Sequence, residues 1–145
     1  MEMINYLIET LIKIEKGIIN NIHIKELNMT LGNHYDINNI EKLKNDIFNI
    51  LLDSTENKVA KEILNVVKII DWKTSDKDLA NVQLFLEDKL NTYDNGCLKS
   101  VNEIYRLTGN DFNLGDYYEY RKAIKIYYLI ASQYIINNKL NNKLI

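Results

Sequence analysis

The chain has 145 residues, a net charge of −2, 46% hydrophobic residues and 26% charged residues. This composition excludes a disordered chain, and the length suits one domain over residues 1–145. The absence of proline and the presence of five glycines disfavour sandwiches and barrels, which need both residues in turns, and the acidic balance disfavours a dedicated nucleic-acid-binding protein.

The first helix is predicted over residues 3–19, where apolar residues cover one half of the helical wheel. The N-terminal residues, MEMINYLIETL, lack the basic region of a signal peptide. Glu15 falls inside the apolar arc and has two interpretations: a side chain that turns outward near the helix end, or a partly buried carboxylate with a functional partner.

The next segment, residues 21–33, fits two kinds of structure. Ile24, Leu27 and Leu31 have helical spacing, whereas Leu27, Met29 and Leu31 alternate as in a strand. Because no second strand-like segment could pair with it, we expect a short helix or an extended packed loop.

Short polar residues that precede an acidic residue or an apolar stripe predict the starts of the remaining helices. These caps are Asn38 with Glu41, Ser54 or Thr55, Ser75 with Asp78, Ser100 with Glu103, and Asp116 with Glu119. Glycines 32, 96, 109 and 115 fall between the predicted elements, and Gly96 is expected to end a helix in the left-handed conformation. The agreement between caps and periodicity predicts an all-α fold, a compact bundle of about five to six helices with a long C-terminal helix.

The C-terminal helix carries six of the ten tyrosines. Tyr120, Tyr127 and Tyr134 recur every seven residues on an apolar face, and this spacing indicates core packing with the hydroxyls at the core rim. Leu129 and Ile136 leave that face. The helix is therefore either central in the bundle, or it offers a second surface that would suit a homodimer formed with Tyr118.

Residues of known catalytic or metal chemistry do not form a recognisable motif. His23 and His34 are not at metal-ligand spacing, and the chain has no Walker loop or dinucleotide-binding glycine motif. Cys97 is the single cysteine, which excludes an internal disulfide and favours a reducing compartment. We expect no metal, no cofactor and no enzymatic activity, in a cytoplasmic protein without a membrane segment.

Two surfaces are predicted to bind partners. The first is an acidic face on and before the helix that Ser75 opens, comprising Trp72, Asp76, Asp78, Glu87 and Asp88. Trp72 has two interpretations: a corner residue packed under its loop, or an exposed interface anchor. The second surface is a basic and aromatic face of the last helix, comprising Tyr118, Arg121, Lys122 and Lys125.

The acidic face leads to the first functional hypothesis, a non-enzymatic protein that neutralises another protein by direct binding. Complementary charge would direct it to a basic partner such as a toxin, nuclease or effector. Bacterial immunity proteins, antitoxins and phage-encoded inhibitors share this small size, which is an analogy of class and not a match to one family. The alternative is a nucleic-acid-associated helical protein, since aromatic rings between basic residues suit single strands.

Overall fold

The computed structural model describes residues 2–93, 96–108 and 112–138, and this part of the chain folds into seven α-helices without a strand. They are α1 (Glu2–Lys16), α2 (Asn21–Leu31), α3 (Ile40–Ser54), α4 (Lys58–Lys68), α5 (Asp76–Tyr93), α6 (Cys97–Leu107) and α7 (Tyr117–Asn137), with a 3₁₀ turn at Ile37–Asn39. The predicted all-α class and the long C-terminal helix are confirmed. The number of helices is seven rather than five to six, because the ambiguous segment forms a helix of its own.

Helix α2 resolves that ambiguity. Asn20 caps its start by accepting a hydrogen bond from the His23 N–H, and Gly32 ends it with a left-handed φ of 68°. Its Ile24 and Leu27 are buried while Met29 is exposed, so burial follows the helical spacing rather than alternation. This segment lacks a partner strand, and a helix satisfies its backbone internally.

The helix starts agree with the predicted caps in two cases. Ser75 Oγ accepts from the Asp78 N–H, and Asp116 accepts from the N–H groups of Tyr118 and Glu119. The other predicted capping residues are wrong, because a nearby residue does the capping or the helix begins earlier. Asp36 caps the 3₁₀ turn before α3, Asn57 caps α4, and α6 begins at Cys97.

Gly96 differs from its predicted role. It precedes α6 with an ordinary φ of −87°, so it is not a left-handed C-terminal glycine. The predicted glycine stop at residue 109 lies outside the described residues.

Helix α7 is the central element of the bundle. It packs against α1, α4, α5 and α6, and both Leu129 and Ile136 are buried. The interpretation of these two residues as a second exposed surface is therefore wrong, since neighbouring helices cover more than one side of α7. Of the residues considered for a homodimer, Tyr118 is the one that is exposed.

The tyrosines of α7 divide as their spacing indicates. Tyr120 and Tyr127 are half-buried, and their hydroxyls donate to the side-chain oxygens of Gln83 and Asn102 at the edge of the core. Tyr134 is half-buried as well. Tyr128 is more deeply placed, with 3% of its surface exposed. The regular tyrosine face is thus part of the core and its rim.

Candidate functional site

An open cleft lies where the end of α1, the first turns of α3, the loop between α4 and α5, and the first half of α7 meet. Its volume is about 360 Å³. Five basic and three acidic side chains and two aromatic rings line it: Lys44, Lys73, Arg121, Lys122, Lys125, Glu15, Glu41, Asp71, Trp72 and Tyr118. The cleft therefore unites Trp72 from the first predicted surface with all four residues of the second.

A buried ionic triad forms one wall of the cleft. The Glu15 carboxylate lies 2.8 Å from Lys125 Nζ and 3.1 Å from Lys44 Nζ, and both Glu15 and Lys125 are more than nine-tenths buried. Lys44 also reaches the exposed Glu41 at 3.5 Å. Because two ammonium groups share one buried carboxylate, the triad retains a surplus positive charge, which the water-exposed Glu41 offsets weakly. The interpretation of Glu15 as an outward-turning side chain is wrong.

The pKa values of the triad follow from this competition. Burial raises the pKa of Glu15, but Lys125 and Lys44 outweigh it and hold that pKa below its usual value. Burial opposes charging of Lys44, yet Glu15 and Glu41 leave its pKa raised. For Lys125, burial lowers the pKa, the Lys44 charge lowers it further, and Glu15 restores only part of the loss.

Arg121 fixes the loop that forms the opposite wall. Its Nε and Nη2 donate to the carbonyl oxygen of Thr74 at 2.8 and 2.6 Å, Nη1 donates to the carbonyl oxygen of Tyr117, and Nη2 also contacts Asp76 at 2.8 Å. The guanidinium is buried and stands 3.3 Å from the centre of the Tyr117 ring. Because four of its five N–H donors are already engaged, Arg121 positions the loop rather than binding a ligand.

The aromatic rim of the cleft is exposed but structurally supported. Trp72 is 61% exposed and Tyr118 55% exposed, and the Lys73 ammonium lies 5.2 Å from the centre of the Trp72 ring. The Tyr117 and Tyr118 rings pack edge to face at 5.3 Å. The Tyr117 hydroxyl donates to the Thr74 carbonyl oxygen, which Arg121 also holds. Trp72 is therefore exposed and not packed under its loop as a corner residue.

The predicted basic face is only partly a surface. Tyr118 and Lys122 are exposed, whereas Arg121 and Lys125 are buried in the contacts described above. The expectation that Arg121 and Lys125 lie on an exposed face is therefore wrong. The helical wheel places them away from the tyrosine face, and the loop and α1 cover that side as well.

The predicted acidic face does not form one patch. Asp76 pairs with Arg121, and Asp78 lies ~200° around α5 from Asp76. Glu87 lies about 16 Å further along the helix axis than Asp76, and Asp88 is exposed on a neighbouring side of the helix. The structure brings only Trp72 of this set into the cleft.

Glu87 borders a second cavity of about 330 Å³ between α5, α6 and α7. Four tyrosines line it: Tyr105, Tyr120, Tyr127 and Tyr128. Burial raises the pKa of Tyr127 to about 12, and the nearby Cys97 and Glu87 act in the same direction. The hydroxyls of Tyr120 and Tyr127 are used in internal hydrogen bonds, so this cavity presents fewer available polar groups than the cleft.

Sequence reasoning did not anticipate Lys44, Lys73 or Glu41 as parts of a site. Lys44 and Glu41 appear on the sequence as ordinary polar positions of an amphipathic helix. The available signal was Glu15, because a carboxylate inside an apolar arc requires a cationic partner from another helix.

No family model, no curated protein and no solved structure matches the chain. Among the residues that the structure describes, no three His, Cys, Asp or Glu side chains converge in a way that could hold a metal ion. Within residues 2–93, 96–108 and 112–138, no helix has both the length and the apolar character that a membrane span requires.

Proposed function

We propose that the protein is a non-enzymatic binding module of the inhibitor or immunity class, which neutralises another protein by direct contact through the cleft. The observation that carries the proposal is the exposed Trp72 side chain in a loop held rigidly by Arg121 and Tyr117. Tryptophan, tyrosine and arginine are the residue types that most often dominate the energy of protein interfaces.

The rigidity of the loop matters because binding costs less when the contact surface is already ordered. Three hydrogen bonds converge on the Thr74 carbonyl oxygen, two from Arg121 and one from Tyr117. Within the loop, the Asp71 N–H donates to Thr74 Oγ1 and the Lys73 N–H donates to Asp71 Oδ1. A tryptophan that a hydrogen-bonded loop exposes to water suits recognition of a partner, since its exposure does not contribute to the stability of the fold.

The charged groups of the cleft also favour binding over catalysis. Glu15 and Lys125 are engaged with each other, and Arg121 holds backbone oxygens. Because Glu15 and Lys125 are buried against each other, neither can come within hydrogen-bonding distance of a substrate proton, as a general base must. A cytoplasmic inhibitor, including one from a phage or mobile element, is the setting in which a small protein of this kind would act.

Single-stranded nucleic acid is the second candidate partner. The exposed rings of Trp72 and Tyr118 stand beside Lys73 and Lys122, and stacking between basic residues is the chemistry that such proteins use. A polyanion would however pass the carboxylate of Asp71 at the cleft wall and meet a chain of net charge −2.

The experiment is affinity capture from the native host, with nuclease treatment, using wild type, a Trp72→Ala/Tyr118→Ala variant and a Met29→Ala control. Met29 is an exposed apolar residue on α2, so Met29→Ala removes apolar surface at a position away from the cleft. We expect one stoichiometric protein that wild type and control retain and the double variant loses. Equal recovery by the double variant would contradict the proposal, and loss after nuclease would favour the nucleic-acid alternative.

A further inference from the structure

We infer that the cleft binds an acidic segment of the protein partner, with a carboxylate placed between Lys44 and Lys122 and an adjacent apolar side chain against Trp72 and Tyr118. This inference rests on the proposed function and names the chemistry of the partner at the same site. It differs from the expectation of a basic partner, which assumed that Trp72 belongs to an acidic face.

The charge of the cleft supports a carboxylate. Glu15 is shared by Lys44 and Lys125, so one of these two positive charges has no buried counterion of its own. Lys122 and Lys73 are exposed at the opening, and no salt bridge within 4.0 Å is formed by either in the described structure. An incoming carboxylate would therefore meet ammonium groups that retain hydrogen-bonding capacity.

The depth at which each lysine lies in the cleft decides which of them can contact the carboxylate of the partner. Lys44 keeps 16% of its side chain exposed at the wall, whereas Lys125 is almost completely buried behind it. A ligand can therefore contact Lys122 and the exposed part of Lys44, and the buried Lys125 adds its charge without direct contact. An anion held near a partly desolvated charge is bound more strongly than one on an open surface.

The size and surroundings of the cleft favour a short segment over a polyanion. A volume of about 360 Å³ is at the lower end of ligand sites and accommodates one or two side chains. The basic groups do not continue as a track, because Asp71 and Glu41 border the cleft and Asp76 lies next to Arg121. Single-strand binding needs a groove that follows the backbone over several nucleotides.

The rim provides the second part of the recognition. Trp72 and Tyr118 expose most of their surface to water beside Lys73 and Lys122. An apolar side chain next to the carboxylate would cover these rings and exclude water from the ionic contact, as the contacts around interface anchors do.

Trp72 makes a direct test feasible, because it is the single tryptophan of the chain and lies in the cleft. Its fluorescence would be titrated with a blocked hexapeptide of alternating leucine and glutamate. The matched probes replace glutamate with glutamine or with lysine, and a short oligothymidylate tests the polyanion. Each probe would be titrated against wild type, Lys122→Gln, Lys44→Gln and, as a control, Lys25→Gln, which alters an exposed lysine of α2.

We expect saturable binding of the glutamate peptide, at least roughly tenfold tighter than the glutamine peptide and weaker at high salt. Lys122→Gln and Lys44→Gln should each weaken it several-fold, with no change in Lys25→Gln. Circular dichroism of each variant verifies that the fold is retained.

Four results would overturn the inference. Equal affinity for the glutamate and glutamine peptides, or no saturable change with the glutamate peptide at millimolar concentration, would exclude carboxylate recognition. Preference for the lysine peptide would indicate a basic partner, and preference for oligothymidylate would indicate nucleic acid. Repeating the capture experiment with Lys122→Gln separates these failures from that of the proposed function. A protein that the Trp72→Ala/Tyr118→Ala variant loses but Lys122→Gln retains would support protein binding by the cleft and contradict carboxylate recognition.

Discussion

Replacement of Glu15 by glutamine tests the buried triad of the cleft, in comparison with replacement of Lys125 by methionine. Both residues are more than nine-tenths buried and lie 2.8 Å apart, so the two changes remove the two sides of one ion pair. An ordinary one-to-one pair would lose similar stability from either side. The triad predicts a large asymmetry, because Lys44 is a second cation on the same carboxylate.

The magnitudes follow from which charge is left without a partner. Glu15→Gln leaves two ammonium groups together with no buried carboxylate, and loss of one partner of a buried pair costs about 3–5 kcal/mol of the free energy of unfolding. Lys125→Met leaves Glu15 paired with Lys44 at 3.1 Å and fills the space with an apolar side chain of similar length. We expect a loss of at most about 1 kcal/mol for it, because neutral replacement relieves the desolvation of a buried charge.

The assay is urea unfolding followed by far-ultraviolet circular dichroism, which reports the helices directly. If the slope of the unfolding free energy against urea concentration is the same in wild type and variants, the variants change stability and not the surface area that unfolding exposes. The combined Glu15→Gln/Lys125→Met variant should recover most of the loss of Glu15→Gln, since the remaining Lys44 is partly exposed and contacts Glu41.

Equal destabilisation by the two single variants would refute the surplus-charge account and indicate a simple pair. A Glu15→Gln variant within about 0.5 kcal/mol of wild type would show that the triad is hydrated and not desolvated. A combined variant that is the sum of the two losses would show that Glu15 and Lys125 act independently.

Three further predictions concern the same region and its neighbour. The pKa of Glu15 is lowered in the folded state, so the ionised carboxylate stabilises the fold at pH values above its ordinary pKa of 4.5, and this stabilisation is lost as the pH falls through the folded pKa. The difference in urea midpoint between wild type and Glu15→Gln should therefore shrink as the pH is lowered below about 4.5. Arg121→Lys keeps the charge but cannot reproduce the two hydrogen bonds to the Thr74 carbonyl oxygen. It should lower the free energy of unfolding by about 1–3 kcal/mol and accelerate amide hydrogen exchange in the loop, and unchanged exchange would contradict the positioning role. Glu87→Gln should lower the pKa of Tyr127 from about 12 in a ring-carbon NMR titration, and no change would assign the whole shift to burial and Cys97.

Much of the fold follows from local information in the sequence. Apolar periodicity and the caps at Ser75 and Asp116 locate helices because both depend on neighbouring residues. The failed caps are cases where several short polar residues stand together, as before α4, where Asn57 rather than Ser54 or Thr55 accepts the Ala60 N–H. The local sequence does not show which of these neighbouring polar residues caps the helix, since that depends on the backbone conformation where the chain enters the helix.

The cleft depends on packing, which local pattern does not contain. The wheel of α7 identifies a polar side but not the elements that cover it, so Arg121 and Lys125 were expected at the surface. The triad draws one residue from each of α1, α3 and α7, and only the packing order of those helices brings them together. Glu15 was the position at which local pattern and residue type disagreed, and such conflicts often mark a site.

The most direct measurement of the central claim is amide hydrogen exchange of the protein bound to its captured partner, compared with the protein alone. The account predicts new protection in residues 71–75 and in the first turns of α7, with exchange of α2 unchanged. Protection confined to α2, α5 or α6, with the loop around Trp72 unaffected, would show that the partner binds elsewhere and would contradict the assignment of the cleft.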